Sequence, residues 1–180
     1  REIMQLIDSI KNLFGPTARI AAPRVKLAPP GEYVIRPLTK RHLRDVTLLN
    51  AECFPNGDSY TRHTLDYLLS QPTTLSYRIV TEDNDTVGFA FVMVNEGGTA
   101  HLTTIGISPK HRRRGLAKRL LLHVESALRA RSINTLVLEV RVKNAAAQEL
   151  YRQKGFYVVQ RLNKYYTDGE DCFLMMKAVY

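Results

Sequence analysis

The run Leu102-Thr103-Thr104-Ile105-Gly106-Ile107-Ser108-Pro109-Lys110-His111-Arg112-Arg113-Arg114-Gly115-Leu116-Ala117 decides the fold. Its first half is apolar and β-branched and stops at a proline, as a buried strand does. Its second half is a basic, glycine-containing turn. From Leu116 the residues Leu116, Leu120, Val124 and Leu128 recur every fourth position with Leu121 beside them, as on a helix packed against a sheet. The first N–H groups of a helix have no partner within it and lie at the positive end of its dipole, so a strand feeding such a turn is suited to holding phosphate. Downstream, Leu136-Val137-Leu138-Glu139-Val140-Arg141 reads as a second buried strand, with one acidic residue in an apolar setting. Strand, helix and strand in this order should bring the two strands parallel by a right-handed crossover.

On the N-terminal side, residues 76–81 and 86–95 read as strands joined at Asp83-Asn84-Asp85, and Glu96-Gly97-Gly98 turns the second into the strand above, giving an antiparallel meander. Residues 33–37 supply a first strand. Thr39 and Thr61 are candidate N-caps for helices that bury Leu43, Val46 and Leu49, and Leu65, Leu68 and Leu69, the second closed by Pro72. Between them, Cys53-Phe54-Pro55-Asn56-Gly57-Asp58-Ser59-Tyr60 is a turn-rich loop with two aromatic groups, of the kind that lines sites. On the C-terminal side, Asn144 can cap a short helix over 145–154, with Gly155 as its stop. Closing strands follow over 156–161 and 172–177, separated by Tyr165-Tyr166-Thr167-Asp168-Gly169. At the start of the chain, Ile3, Leu6, Ile7, Ile10, Leu13 and Phe14 form one helical stripe, read as packing on the domain or on a second copy rather than on a membrane, and Pro16, Pro23, Pro29 and Pro30 mark a linker. The expected division is an N-terminal amphipathic helix plus Pro-rich linker over residues 1–30 and one domain over 31–180.

With 180 residues, 44% of them hydrophobic, the chain can bury one core. A formal charge of +9 favours anionic partners such as a polyanionic cofactor, nucleic acid or an acidic surface. No apolar run reaches the roughly 18 residues of a membrane span, and no membrane partner is expected. Cys53 and Cys172 make neither a disulfide framework nor a metal motif, which points to a reducing, cytoplasmic compartment. His42, His63, His101, His111 and His123 lack metal-ligand spacing and read as surface or packing residues, so no metal is expected. The basic run over 110–114 has no interleaved aromatics, and a turn before a helix explains it better than a nucleic-acid patch.

In this setting Arg112-Arg113-Arg114-Gly115-Leu116-Ala117 resembles the acetyl-coenzyme A signature of the GNAT (Gcn5-related) N-acetyltransferases, Gln/Arg-x-x-Gly-x-Gly/Ala, with Ala117 in a slot often held by glycine. Asn144, and Leu150-Tyr151 ahead of Gly155-Phe156, extend the likeness over residues 33–177. Leu138-Glu139-Val140-Arg141, Asn144-Ala145-Ala146-Ala147 and Tyr165-Tyr166-x-Asp168-Gly169-Glu170-Asp171 narrow it to the ribosomal-protein-alanine (RimI-type) and related protein N-terminal acetyltransferases. The resemblance implies an α/β (α+β) GNAT fold: a mixed, mostly antiparallel sheet of about six to seven strands with helices on both faces, its central parallel pair split around acetyl-CoA. It implies Glu139 as general base and Tyr151 as general acid, the latter also at the cofactor. Backbone groups of Ile105, Gly106 and Ile107 would pair with the pantetheine arm, with Gly106 suited to a bulge that opens the strand. Arg112, Arg113, Arg114, Gly115, Leu116 and Ala117 would cradle the pyrophosphate, a side chain at Gly115 standing where the phosphate approaches, and Asn144 would reach the pantetheine amides or cap its helix. Phe54 and Tyr60 on one loop and Tyr165 and Tyr166 on another would meet the substrate.

The chemistry is coherent without the family. An α-amine of pKa about 7.7–8.0 is mostly protonated at neutral pH and cannot attack a thioester, so a base is required. Glu139 on an apolar strand should have a raised pKa from desolvation and suits that task, although it reads equally well as a strand-end carboxylate paired with Arg141 or another cation. A departing thiolate of pKa about 8.5 can take a proton from a tyrosine of pKa about 10, which fits Tyr151 unless that ring only packs in the core. Three functions follow: acetylation of a protein N-terminus, acetylation of another amine such as a lysine side chain, polyamine or antibiotic, and a non-catalytic binding module using its basic surface on RNA or the ribosome. The favoured chain acts as a monomer or homodimer.

Overall fold

Alternation of side chains along the strands sets the architecture. In the computed structural model, which describes residues 25–55 and 58–180, seven strands form one mixed sheet. They are β1 Val34–Pro37, β2 Thr74–Val80, β3 Thr86–Val94, β4 Thr99–Ile107, β5 Thr135–Arg141, β6 Tyr157–Leu162 and β7 Cys172–Ala178. Among the described residues four α-helices cover it: α1 Leu43–Cys53, α2 Arg62–Ser70, α3 Leu116–Arg129 and α4 Ala145–Gln153. The amphipathic stripe over 1–14 and the linker prolines Pro16 and Pro23 lie outside the described residues.

Along the sheet the order is β1-β2-β3-β4-β5-β7-β6. The meander from β1 to β4 is antiparallel, and β4 and β5 are parallel with α3 as their crossover. On β3, Phe89 and Phe91 point toward Val46 and Leu49 of α1 and Leu65 and Leu68 of α2. Their neighbours Ala90 and Val92 point the other way, into the larger core with Leu120, Leu121, Val124 and Leu128 of α3 and Leu136 and Leu138 of β5. The period-two pattern therefore builds two cores, one on each face. The mixed sheet with helices on both faces and a central parallel pair is the fold that the sequence resemblance implied.

Local signals also act as read. The Thr61 hydroxyl accepts the Thr64 N–H at 3.1 Å, and Asn144 Oδ1 accepts the Ala147 N–H at 3.1 Å, each satisfying a donor that a helix start leaves unpaired. Gly155 stops α4 with φ +85°, a conformation only glycine adopts without strain. At Thr39 the outcome differs. Thr39 caps a 3-10 turn over Lys40–His42, closed by the His42 N–H donating to the Thr39 carbonyl at 2.9 Å while the His42 ring accepts the Thr39 N–H at 3.1 Å, so α1 starts later, with His42 as its N-cap.

The expected bulge at Gly106 is displaced. Phe91 pairs with Thr104 and Val92 with Leu102, which makes Thr103 the extra residue, while Gly106 stays in register opposite Phe89. Gly106 is needed for a different reason: a Cβ there would lie 2.7 Å from two ring carbons of the fully buried Phe89 and 3.1 Å from Cys53 Sγ. Gly106→Ala is expected to lower stability by about 1–3 kcal/mol through overpacking. A urea midpoint equal to wild type would mean that the Phe89 ring yields freely.

Candidate active site

Pairing between β4 and β5 is limited to Thr99 with Thr135, Ala100 with Leu136 and His101 with Val137. Beyond them the strands separate around a cleft of about 170 Å³, with Leu102, Thr103, Thr104 and Ile105 on one wall and Glu139, Val140 and Arg141 on the other. Leu136, Leu138 and Val140 belong to the core under α3 and α4, so alternation turns Glu139 and Arg141 to the α1–α2 face. Tyr151 of α4 packs in the α3–α4 core and also lines the cleft. The cleft thus passes through the sheet, and Glu139 and Tyr151 reach it from opposite faces.

Glu139 has an asymmetric environment. Its Oε2 lies 2.6 Å from Nε2 of His101, whose side chain is fully buried. A carboxylate only accepts, so Nε2–H donates. The other imidazole nitrogen is 3.3 Å from the Thr103 hydroxyl, on the bulge residue. Oε1 is buried and has no hydrogen-bond partner. Of the pairing with Arg141 or another cation that the sequence left open, Arg141 takes no part; the partner is His101. His101, read from sequence as a surface or packing histidine, is the group that orients the carboxylate.

Arg141 is engaged elsewhere. Its Nε donates to Asp58 Oδ2 at 2.6 Å and its Nη2 to Asp58 Oδ1, while Nη1 reaches Asp168 at 3.1 Å and Glu170 at 2.9 Å. Its guanidinium also stacks 3.8 Å above the Tyr166 ring. Gly169, at φ +81°, makes the turn that presents Asp168 and Glu170, and Asp171 accepts from the Lys164 N–H and from Arg161. The Tyr165-to-Asp171 motif is therefore a clamp on Arg141. It ties the loop after α1, through Asp58, to the loop between β6 and β7.

The aromatic candidates line the same cleft. Tyr60 is buried and donates to the Thr103 carbonyl at 3.2 Å, and its own carbonyl accepts from Asn50 at 2.9 Å. Phe54 meets the Phe89 ring edge-on, and Tyr165 and Tyr166 stand edge-to-face at 5.1 Å. Burial holds the Tyr60, Tyr151 and Tyr166 hydroxyls well above the ordinary tyrosine pKa, with the Glu139 and Asp58 charges adding to the shift at Tyr60.

At the start of α3, Gly115 is the N-cap, at φ +72°, with no side chain capping the helix and no protein atom within 4 Å of an added Cβ. With no side chain capping the helix, the first-turn N–H groups of Leu116, Ala117 and Lys118 have no partner within it, as an anion site requires. Arg113 is left-handed at φ +62°. Arg112 donates to the carbonyls of Ile107 at 3.1 Å and Cys53 at 3.3 Å. Arg114 donates to the Pro29 carbonyl at 2.8 Å, to the Ala28 carbonyl and to the Tyr33 hydroxyl. Two of the three arginines are thus held by protein acceptors. Of the remaining cofactor candidates, Asn144 and Ile105 line the cleft, and Gly106 and Ile107 continue β4 toward the turn.

Against known families, residues 43–156 match the acetyltransferase (GNAT) family model. The chain belongs to the GNAT acetyltransferase family. It is an N-acetyltransferase of the GNAT type, and so an acyltransferase enzyme. An N-alpha-acetyltransferase of Sulfurisphaera tokodaii is 26% identical over 159 residues, covering 80% of this chain and 92% of the relative. A [ribosomal protein bS18]-alanine N-acetyltransferase of Escherichia coli is 43% identical over 79 residues, 42% of this chain and 53% of the relative. Among solved structures, the ribosomal-protein-S18-alanine N-acetyltransferase from Escherichia coli superposes with TM-score 0.75 at 28% identity, covering 82% of this chain and 94% of that one.

Removing the Arg141 side chain from this GNAT site leaves Asp58, Asp168 and Glu170 facing one another. Arg141→Ala is expected to cost about 2 kcal/mol, the scale of lost charge-assisted hydrogen bonds in a partly exposed network. Arg141→Lys should recover only part of it, because an ammonium cannot reproduce the planar fork. Chemical denaturation of both variants checks this, and full recovery by lysine would reduce the clamp to a matter of charge.

Proposed function

We propose that the enzyme acetylates the free N-terminal α-amine of a protein, with acetyl-CoA as donor, Glu139 as base and Tyr151 as acid. The observation that carries the reading is Glu139 Oε1: a buried carboxylate oxygen without a partner, beside a cleft, while its twin is fixed by His101. Buried acceptors are nearly always satisfied, and one left open at a cleft calls for a donor brought by a ligand. A protonated amine is such a donor. Relatives named for N-alpha and ribosomal-protein-alanine acetylation support an N-terminal substrate.

The unpaired edge of β4 at Ile105, Gly106 and Ile107, the open N-terminus of α3 at Gly115, Leu116 and Ala117, and Asn144 fit an extended cofactor with a phosphate end. Bound there, acetyl-CoA supplies an acetyl thioester, which a neutral amine attacks with loss of a thiolate. Glu139 Oε1 holds the proton removed from the amine, and His101 keeps the carboxylate turned toward the cleft. Tyr151 holds the proton that the departing sulfur requires. Its raised pKa keeps it protonated through the whole working range, so the acid does not run out as the pH rises. Tyr60, Tyr165 and Tyr166 form the walls against which the peptide backbone lies.

Thiol release in the presence of acetyl-CoA is expected with peptides bearing a free N-terminus and absent with N-blocked lysine peptides and polyamines. Turnover confined to lysine peptides or polyamines would move the enzyme to another amine class. Glu139→Gln should lower turnover at pH 7 by about 10²–10⁴-fold. Part of that loss should return above about pH 8, where the amine is neutral without help. Wild type should show no alkaline fall in rate up to about pH 10, the ordinary tyrosine value that Tyr151 exceeds. An unchanged pH profile in Glu139→Gln would remove Glu139 from the base role, and an alkaline fall that Tyr151→Phe leaves in place would assign that fall to another group.

A further inference from the structure

Residues 28–33 precede the part of the chain that the family model covers, which begins at residue 43, yet they lie directly on the phosphate turn. The Ala28 N–H donates to the Lys110 carbonyl at 2.8 Å. Arg114 answers from the turn, donating to the Ala28 and Pro29 carbonyls and the Tyr33 hydroxyl, with its guanidinium 5.9 Å over the Tyr33 ring. The Tyr33 hydroxyl is also 3.0 Å from His111 Nδ1, and Arg119 of α3 donates to the Tyr33 carbonyl at 2.7 Å. These partners all belong to the turn or to the first turn of α3, and one further bond, from the Glu32 N–H to Glu82 Oε1 at 3.2 Å, ties the strap to the loop between β2 and β3.

The turn needs such support. Arg113 holds a left-handed conformation that costs a non-glycine residue energy and persists only where the surroundings over-determine it. Its two neighbours supply the determination: Arg112 is tied to Ile107 and Cys53 on one side, Arg114 to the strap on the other. Pro29 and Pro30 fix φ and lack N–H groups, so the strap is extended before it docks and loses little freedom in presenting its carbonyls. A turn already set in its binding shape binds more tightly than one that must be ordered.

We propose that the strap over residues 28–33 is a positioning element for the cofactor, with Tyr33 acting through Arg114 to hold the phosphate turn in its binding shape. This rests on acetyl-CoA being the donor. Arg114 then serves the cofactor by anchoring the turn, and the pyrophosphate is met by main-chain N–H groups and Arg113.

In the 180-residue chain, Tyr33→Phe, Tyr33→Ala, Arg114→Ala and the Tyr33→Ala/Arg114→Ala double variant are compared for acetyl-CoA binding by calorimetry and for KM of each substrate. Tyr33→Ala is expected to raise the acetyl-CoA Kd and KM about tenfold, Tyr33→Phe less, with peptide KM and kcat at saturating acetyl-CoA within about twofold of wild type. The double variant should be no weaker than Arg114→Ala alone, since both substitutions break one contact. Reciprocity requires acetyl-CoA in turn to slow amide hydrogen exchange at Ala28. Tyr33 variants with wild-type acetyl-CoA affinity, or additive losses in the double variant, would overturn the proposal and assign Arg114 its own contact with the cofactor. Equal rises in both KM values would replace positioning with general loss of stability. A wild-type chain that binds no acetyl-CoA would instead overturn the reading on which this one stands.

Discussion

Beyond His101 and Val137 the two parallel strands no longer satisfy each other, and a sheet interior tolerates such a gap only where something else meets its backbone groups and fills its space. The protein meets this constraint in pieces. The Tyr60 hydroxyl takes the carbonyl of the bulge residue Thr103, and Tyr151 and Tyr166 close the gap from either side. What they leave open is narrow and polar on one edge. Because the opening runs through the sheet, groups from both faces meet in it although neither core contains the other's residues.

The same gap explains why the electrostatics near it are local. A chain of net charge +9 places three carboxylates around one guanidinium at the mouth of its cleft and a single carboxylate against one imidazole at its floor. The excess of positive charge is a property of the rest of the chain, the basic turn over residues 110–114 included. Overall charge pointed toward a polyanionic cofactor. It carried no information about the side of the sheet where a cationic amine would be received.

Legibility in the sequence followed range. Thr61, Asn144 and Gly155 announced helix ends because a cap acts over three or four residues, and the strand–turn–helix run announced the parallel pair because a crossover has one favoured hand. Ile105, Glu139, Asn144 and Tyr151 were legible as cleft residues from the pattern of a family. The His101–Glu139 contact was not, since it joins residues 38 positions apart and depends on the register of β4 against β5. The family resemblance points to a bulge at Gly106, but Thr103 carries it, and the glycine answers to the Phe89 ring across the sheet. The available signal was His101 itself, a histidine inside a strand with apolar Ala100 and Leu102 on either side of it. Arg141 offered less, because Asp58 lies 83 residues away in a loop.

Arg141 stands on β5, a strand paired with β7 along its length, and from there it holds Asp58 on one side of the cleft and Asp168 and Glu170 on the other. The two loops that frame the opening are therefore tied through one side chain: releasing either strands its carboxylates without their counter-charge, while the guanidinium keeps the other. For divergence within a lineage this makes the loops a single inherited unit. A change in one loop that removes its carboxylate alters the charge balance felt by the other, and a loop taken from elsewhere keeps the tie only if it brings an acceptor for Arg141.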